Sequence, residues 1–441
     1  MVHDGGPVGL DGVLVRFDDD RVVSDAGIAL VATLAGRLGL EGLIGRCVRL
    51  RAGRPGGANA GRKVMALIYA MALIYAMALG ADSIDDCQVL RAGRTRRLLG
   101  GWVPAPSTLG TFLRAFTFGH VRQLDRVLGE ALTRAWKAGA GPGAERLLLD
   151  VDSFIGEVCG YQKQGSGFGY TKQLGYHPIV ASRADTGEVL HVRLRHGSAN
   201  TQRGMLRFTE ELIARVTRAG ATGAKLLRAD SGFWNNKVFK RLEAAGWTYS
   251  IGIRMIKPVA AIVAEIPRDA WTQIEDYPKP GEAHIAEATL GGRRLIVRRI
   301  RVLGIQDELF PTWAHYPFLT NRDEDIAVVE AEHRQHAVVE LVIRDLKDQA
   351  LAHFPSGHYH ANAAWTVIAA LAHNLLRWTA IIGTPEDVIR AAHTTRRRLL
   401  TLPGRLTRHA NQWTLHLPAR WPWQDDFTRT LTRLRALPAT A

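Results

Sequence analysis

Cysteine is scarce in this sequence and follows no pattern. The 441 residues include only Cys47, Cys87 and Cys159, an odd number without metal-ligand spacing. Neither a disulfide framework nor a zinc site is therefore expected, and a reducing cytoplasm is the expected compartment. The first residues also lack the basic start and apolar core of a signal peptide.

Acidic residues are too few to balance the basic ones. The sequence has 42 Asp and Glu against 57 Lys and Arg, which gives a formal net charge of +15. Residues 391–441 alone carry nine arginines against two aspartates. Because the planar guanidinium group donates paired hydrogen bonds to phosphate, this excess favours a nucleic-acid partner over mere surface solvation.

One uncharged run, residues 64–81, is long enough to test as a membrane span. It contains the six residues Met-Ala-Leu-Ile-Tyr-Ala at 65–70, which recur at 71–76. The run is rich in alanine, no second span accompanies it, and acidic residues follow at once. These features favour a buried helix of a soluble protein over a membrane helix, so no membrane partner is expected.

A glycine-rich segment at residues 165–170 has neither the spacing of a nucleotide-binding loop nor a following helix. Lys163 and Lys172 flank it and favour a flexible loop that contacts DNA. No Ser/His/Asp or Cys/His arrangement indicates a nucleophilic enzyme.

Residues 1–140 are predicted to form an all-helical DNA-binding domain. The segment 108–116 resembles a small basic helix-turn-helix, although plain helical packing remains an alternative. A Gly- and Pro-rich linker at 138–143 ends this region. Helices are expected at about 26–38 after a cap at residues 24–25, at 62–79, from residue 83, and twice between 107 and 137.

The hydrophobic periodicity changes after the linker. Three predicted strands are followed by alternating helices and strands, an order typical of an α/β, ribonuclease H-like catalytic domain, here at 141–380. A β-rich insertion at about 268–320, a long helix at about 324–349, an apolar helix at 361–379 and a basic helical C-terminal region at 381–441 complete the prediction. The strands are expected at about 146–154, 177–183, 188–195, 224–230 and 247–253, with helices at 202–218 and 235–245.

Three acidic residues predict the chemistry. Asp152 lies in one apolar strand, Asp230 ends another, and Glu340 lies in the long helix. An unpaired charge within an apolar strand is costly, which argues against simple surface carboxylates. Asp150 shares a strand face with Asp152 and is an alternative first ligand, although Ser153 favours Asp152. Such hard oxygen ligands suit two Mg²⁺ or Mn²⁺ ions that cleave and join phosphodiesters.

Several cations are predicted to contact DNA. His333, His336, Arg344 and Lys347 are spaced at −7, −4, +4 and +7 from Glu340, so one continuous helix would place them on its face. The full set of predicted contacts is Lys163, Lys172, His333, Arg334, His336, Arg344, Lys347, Arg396, Arg397 and Arg398.

Several motifs together resemble those of the DDE transposases of bacterial insertion sequences, most closely insertion-sequence family thirteen-eighty. The family's glutamate motif has a Tyr and an Arg where this chain has His333 and His336, while Glu340 and Lys347 are kept. The motifs are Asp150-Val151-Asp152-Ser153, Gly175-Tyr176-His177-Pro178, Leu194-Arg195-His196-Gly197, Arg228-Ala229-Asp230-Ser231-Gly232-Phe233, Glu340 with Lys347, Leu402-Pro403-Gly404-Arg405 and Trp421-Pro422-Trp423.

The resemblance implies a cut-and-paste transposase that uses Asp152, Asp230 and Glu340 as its catalytic and metal-binding residues. Its expected partner is double-stranded DNA, both terminal inverted repeats and target, bound by a homodimer in the cytoplasm at the nucleoid. Two alternatives stay open: a catalytically inactive DNA-binding relative, and a structure-selective nuclease on the same fold.

Overall fold

The computed structural model of the protein describes residues 13–50, 57–73, 84–160, 162–169, 172–275, 277–278, 281–302, 312–385 and 391–440. The helices predicted in the N-terminal part are present where the structure describes them, although the one from residue 83 is a 3-10 helix, and α2 and α4 were not predicted. The predicted cap at residues 24–25 is wrong, because α1 begins after Gly27 without a side-chain cap. The elements are β1 (Val22–Val23), α1 (Ile28–Arg37), α2 (Leu40–Cys47), α3 (Ala60–Leu73), a 3-10 helix (Ile84–Arg91), α4 (Thr95–Leu98), α5 (Pro106–Arg114) and α6 (Phe118–Ala135).

The long uncharged run is described only in part. Its first six-residue repeat lies in α3, where nearly every side chain is buried. Residues 74–81, which include the rest of the second repeat, lie outside the described residues. The burial of α3 is what the apolar run predicts for a helix inside a protein core.

The middle of the chain alternates strands and helices in the predicted order. In β2 the apolar side chains at every second position are buried. In α7 the buried side chains, which include Phe208, Leu212 and Val216, follow helical spacing. The elements are β2 (Leu147–Ser153), β3 (Gly156–Glu157), β4 (Gly167–Phe168), β5 (Leu174–Tyr176), β6 (Ile179–Arg183), β7 (Val189–Arg193), α7 (Met205–Ala219), β8 (Lys225–Ala229), α8 (Asn236–Ala244), β9 (Thr248–Gly252), α9 (Lys257–Glu265), β10 (Thr272–Gln273), β11 (Ala283–Leu290), β12 (Arg293–Val302) and β13 (Thr312–Thr320).

Within the described ranges, nine of these strands form one mixed sheet in the order β10-β11-β12-β13-β9-β8-β2-β6-β7. Strand β2 is parallel to β8 and antiparallel to β6, and β8 is parallel to β9. The carboxyl ends of β2 and β8 therefore meet at one edge of the sheet, the edge where α/β proteins build their sites.

The segment predicted as a β-rich insertion consists of strands but continues the central sheet. Strand β13 pairs with β9, and β12 and β11 follow outward. Leu295 and Val297 of β12 pack in the main core, whereas Ile296 packs with Phe318 in a small second cluster. Because β12 is buried on both faces, the segment extends the sheet and is not a separate layer.

The helix predicted to carry Glu340 is interrupted. It consists of α10 (Ile326–Arg334), a 3-10 turn (Gln335–Ala337), α11 (Val338–Leu346) and a π turn (Lys347–Leu351). A 3-10 helix has 3.0 residues per turn, whereas an α-helix has 3.6. The 3-10 turn therefore rotates the side chains of α10 relative to those of α11 about the helix axis. The prediction of one continuous helical face at 324–349 is therefore wrong.

Helix α12 (Tyr359–Gly383) joins the N-terminal helices to the sheet. It packs against α3, α6 and β7, and the buried side chains of all these elements belong to one core. In the described part of the chain α12 is the single straight helix that is long and apolar enough to cross a membrane, and 83% of that stretch is buried inside the protein. Helix α12 is thus the central core helix of this fold.

The C-terminal region was predicted to be helical, and this is wrong in part. It contains α13 (Ala392–Thr395), a hairpin of β14 (Gly404–His409) and β15 (Gln412–His416), and α14 (Gln424–Ala436). Strand β14 also pairs with β1, and Leu406 packs against Val23 and Ala26. Strand β1 near the N-terminus and the C-terminal hairpin therefore form one small sheet.

Candidate active site

The structure distinguishes the two aspartates of β2. Asp150 is fully buried, and its two carboxylate oxygens accept hydrogen bonds from Arg228 Nε (2.7 Å) and Nη2 (2.8 Å). The strand register places Asp150 directly beside Arg228. Asp150 is therefore neutralised by a structural ion pair, whereas Asp152 is left as the candidate ligand.

Asp152 and Asp230 line one cavity of about 480 Å³, which we call the carboxylate cavity. Asp152 Oδ1 accepts a hydrogen bond from Ser153 N (2.6 Å), and Asp230 Oδ1 accepts one from Gly232 N (2.8 Å). Asp230 follows the last residue of β8 directly. Backbone donors thus fix both carboxylates at the carboxyl edge of the sheet.

The charges of all three predicted ligands act on one another. Burial raises the pKa of Asp152 to about 6, and the neighbouring carboxylates of Asp230 and Glu340 add to the rise. Glu340 lies in the first turn of α11, which packs on β2. The structure therefore brings the negative charges of the three predicted residues into one region.

None of these three carboxylates forms an ion pair with another described residue. Other acids of the protein interior do: Asp345 pairs with Arg377, and Glu330 with Arg298. Carboxylates that repel one another and lack a cation are the donor set of a divalent metal ion. The residues therefore fit Mg²⁺ or Mn²⁺ by their chemistry, although no three acidic, His or Cys side chains in the described chain are gathered closely enough to hold one ion.

His177 is a residue of the carboxylate cavity to which the sequence analysis gave no role. Its Nδ1 donates a hydrogen bond to Ala199 O (2.8 Å), and its Nε2 accepts one from Ser153 Oγ (2.9 Å). Burial lowers the pKa of His177. The motif Gly175-Tyr176-His177-Pro178 was the available signal for it.

Arg254 is the second residue of the cavity that sequence reasoning missed. It follows β9, and its side chain is exposed where it lines the carboxylate cavity. No motif marks it, because its place beside the two aspartates depends on the pairing of β8 with β9.

His333 was predicted to contact DNA, and this is wrong. Its ring stacks on Phe318 at 4.1 Å, and its Nδ1 is hydrogen-bonded to Ser250 Oγ at 2.8 Å. Burial lowers the pKa of His333 to about 3, so it is neutral at physiological pH. The 3-10 turn after α10 separates this inward face from that of Glu340.

His336 and Lys347 do lie near the carboxylates. His336 Nε2 donates a hydrogen bond to Val151 O (3.2 Å), and its positive form would lower the pKa of Asp152. Lys347 Nζ lies 5.2 Å from the centre of the Phe154 ring, just beyond β2. Both residues stay predicted DNA contacts.

Arg334 and Arg344, the other predicted DNA contacts of this segment, do not line the carboxylate cavity. Arg334 forms an ion pair with Glu330 (3.1 Å) and lies over the ring of Tyr277 at 5.1 Å. Arg344 is exposed and lines a separate small cavity with Asp185. The structure therefore does not bring Arg344 into the carboxylate cavity.

The three C-terminal arginines differ from one another. Arg396 is 2% exposed, and its Nε donates a hydrogen bond to Ala72 O (2.7 Å). Its prediction as a DNA contact is wrong, because the side chain is buried in the helical core. Arg397 and Arg398 lie over the ring of Trp423 at 5.6 and 5.4 Å, and Arg397 is exposed.

The described part of the loop between Lys163 and Lys172 contacts the rest of the protein, and its flexibility and its contact with DNA stay predictions. Lys163 Nζ donates a hydrogen bond to Phe354 O. Strand β4 within the loop pairs with β5, which also pairs with β3. Lys172 is exposed and stays a predicted DNA contact.

Helices α5 and α6 occupy the place of the predicted helix-turn-helix, with three residues between them. Helix α6 packs against α12, α2 and α7, and nine of its eighteen residues are buried. Its exposed residues include Phe118 and Gly119 of the first turn. In a helix-turn-helix the N-terminal residues of the second helix contact the bases, so the DNA-binding role of this segment stays a prediction.

The family of the chain follows from its match to a known family model. The model of the transposase DDE domain, group 1, matches residues 7–439. No curated protein matches the sequence. A cryo-EM structure of the piggyBac transposase synaptic complex with hairpin DNA is similar, at 12% identity and a TM-score of 0.49, over 86% of this chain and 80% of that chain. The family model covers nearly the whole sequence, and the protein belongs to the group 1 transposases with a DDE domain.

Proposed function

We propose that the protein is the DNA transposase of an insertion sequence of family thirteen-eighty. It binds the terminal inverted repeats, cleaves the DNA at the element's ends and joins the ends to target DNA. The observation that carries the proposal is a set of carboxylates without a partner cation: Asp152 and Asp230 at the carboxyl edge of the sheet, and Glu340 of α11, whose charge acts on Asp152. The five strands β7-β6-β2-β8-β9, with α7 and α8 between them, serve as a ribonuclease H-like catalytic domain.

Asp152, Asp230 and Glu340 would hold the metal ions. Bound Mg²⁺ or Mn²⁺, two ions in the proposed form, would activate the attacking water or DNA 3′-hydroxyl and stabilise the leaving oxygen. Ser153 N and Gly232 N keep the two aspartates oriented, and His177 holds the Ser153 side chain.

DNA would approach the carboxylate cavity from its open side. Arg254 on the cavity wall and His336 and Lys347 beside it supply cations for the phosphates. Lys172 and Arg397, both exposed, would contact DNA farther out. A homodimer, acting in the cytoplasm at the nucleoid, would hold both ends of the element.

A cleavage assay tests this function. The full chain is incubated with DNA that carries the sequences flanking its gene, with Mg²⁺, with Mn²⁺ or with EDTA. We expect strand breaks at the ends of the element only with a divalent ion. Asp152→Asn, Asp230→Asn and Glu340→Gln should each lower the cleavage rate at least about a hundredfold, because each removes a metal ligand, while DNA binding stays within about threefold.

Asp348→Asn is the matched control, since Asp348 is an exposed acid eight residues beyond Glu340. It should cleave like the wild type. If any ligand variant keeps wild-type cleavage, that residue does not hold the metal. Repeat-specific binding without any cleavage would instead identify an inactive relative, and cleavage without preference for the repeats a structure-selective nuclease.

A further inference from the structure

The C-terminal hairpin of β14 and β15 forms an exposed two-stranded ribbon. Strand β1 pairs with Gly404 and Arg405 at its base, and in the described chain no strand pairs with the outer edge of β15. Residues 408–414, which include the turn, are all exposed. From Arg405 to His409 the ribbon extends about 14 Å, because an antiparallel strand rises about 3.4 Å per residue. This hairpin has no part in the proposed cleavage site.

One face of the ribbon attaches it to the rest of the protein. Leu406 and its cross-strand neighbour Leu415 pack in the small apolar cluster beside β1. Arg94 Nη1 donates a hydrogen bond to Leu406 O (2.9 Å). Farther along the same face, the ring of Trp413 lies 5.8 Å from the guanidinium group of Arg94 and 5.6 Å from that of Arg408. These contacts fix the direction in which the ribbon points.

The turn of the ribbon is held by a side chain of the same face. Arg408 Nε donates a hydrogen bond to Ala410 O (3.0 Å), and its Nη2 donates one to Asn411 Oδ1 (3.2 Å). Ala410 has a φ of 49°, in the left-handed region that few residues other than glycine adopt. Arg408 stabilises this conformation from within the hairpin. The tip is therefore preorganised although it is exposed.

The opposite face of the ribbon, which we call the outward face, is entirely polar. All of its side chains can form hydrogen bonds, and none is acidic. A ribbon shaped only by solubility would carry charges of both signs. The strand register places three cross-strand pairs on the outward face: Arg405 with His416, Thr407 with Thr414, and His409 with Gln412. All of them except Thr407 are exposed.

The charge around the ribbon suits DNA. Residues 391–441 carry nine arginines against two aspartates, and Arg397 of this region is exposed. At the base of the ribbon Asp19 lies 3.6 Å from Arg405 and neutralises part of its charge, but the Arg405 side chain stays 49% exposed. Arginines that contact phosphate position a protein on DNA without reading its sequence, whereas polar side chains such as those of the outward face recognise base edges.

We propose that the outward face enters the major groove of duplex DNA and reads its sequence. The major groove is about 12 Å wide and admits a two-stranded β-ribbon. A ribbon of about 14 Å spans about four base pairs, which are about 3.4 Å apart. Gln412 matches the hydrogen-bonding edge of adenine, Arg405 matches that of guanine, and the threonine methyl groups suit thymine. This inference rests on the proposed function, because it names the element that recognises the terminal inverted repeats.

Binding isotherms of the full chain in EDTA test this role. The probes are a duplex with the terminal repeat of the element and a duplex of the same composition in shuffled order. We expect the wild type to bind the repeat at least about tenfold more tightly. Gln412→Ala should lower that preference at least about fivefold, and the double variant with Thr414→Ala should lower it further, because both lose contacts with base edges. Affinity for the shuffled duplex should stay within about twofold, since phosphate contacts are kept.

Gln424→Ala is the matched control, since Gln424 is an exposed glutamine at the start of α14. It should keep the full preference for the repeat. Because Gln412 and Thr414 are exposed as well, their variants should fold like the wild type, and equal melting temperatures would verify this.

The outcomes separate this inference from the proposed function. If the wild type prefers the repeat and the ribbon variants keep that preference, or lose affinity equally for both duplexes, the ribbon does not read sequence and only this inference fails. If the wild type has no preference, recognition of the repeats fails and the inference fails with it. The isotherms need neither metal nor cleavage, so loss of cleavage with an intact preference would refute the catalytic proposal and leave the ribbon's role standing.

Discussion

The two aspartates of β2 should respond to the same substitution with opposite changes in stability. Asp150→Asn leaves the buried Arg228 without its carboxylate partner. Arg228 is 1% exposed, and its Nη1 is bonded to Glu332 O (2.6 Å), so it cannot turn to solvent. Loss of one partner of a buried ion pair costs about 3 to 5 kcal/mol of unfolding free energy. In a chain of this length that cost lowers the melting temperature by about 3 to 5 °C.

Asp152→Asn should stabilise the metal-free protein. Burial and the neighbouring carboxylates raise the pKa of Asp152 from its ordinary value of 3.8 to about 6. At about 1.4 kcal/mol for each tenfold change in proton affinity, the ionised form is destabilised by about 2 to 3 kcal/mol. Because the folded pKa lies above the unfolded one, this contribution favours folding below pH 4 and is lost as the pH rises through about 6.

Thermal unfolding of the two variants and the wild type in EDTA, at pH 5 and pH 7.5, measures both effects. At pH 7.5 we expect Asp152→Asn to melt about 2 to 3 °C above the wild type and Asp150→Asn below it. Mg²⁺ should raise the melting temperature of the wild type and of Asp150→Asn, but that of Asp152→Asn much less. If Asp150→Asn melts like the wild type, or Asp152→Asn is the less stable of the two, the assignment of their roles is wrong.

Two further predictions concern DNA binding. His336→Arg should strengthen binding to the element's ends, because the guanidinium group is always charged and donates paired hydrogen bonds to phosphate. His333→Phe should leave the pH dependence of binding unchanged, since the low pKa of His333 already keeps it neutral, and binding isotherms at matched salt measure both effects. Arg397→Ala should flatten the slope of log affinity against log salt by about one, whereas Arg396→Ala should leave the slope unchanged and lower the melting temperature, because Arg396 is buried against Ala72. Equal slopes for Arg397→Ala and the wild type would show that Arg397 does not contact phosphate.

The order of strands and helices was predictable because it depends on local patterns. Apolar runs bounded by turn residues mark β2, β8 and β9, and the helical spacing of apolar residues marks α7. Asp152 and Asp230 were found for the same reason, since each interrupts or ends an apolar strand. Patterns of this kind can be recognised within a short stretch of sequence, without knowledge of the tertiary contacts.

Points that depend on a contact distant in sequence could not be decided from local patterns. The choice between Asp150 and Asp152 depends on Arg228, 78 residues away, which only the register of β2 and β8 reveals. Arg396 looked like a surface cation, but its partner is the carbonyl of Ala72, 324 residues away. His333 was misassigned for a local reason, because the 3-10 turn that rotates α10 relative to α11 has no proline or glycine to mark it.

Much of the positive charge of this chain is used within the fold. Many arginines serve the fold: Arg228, Arg215, Arg377 and Arg298 each neutralise a buried acid. The net charge of +15 therefore does not measure how many cations are available to DNA. Charges without a partner in the described chain are the more specific signal. The carboxylates of Asp152, Asp230 and Glu340, which form no ion pair within the described chain, call for a divalent cation.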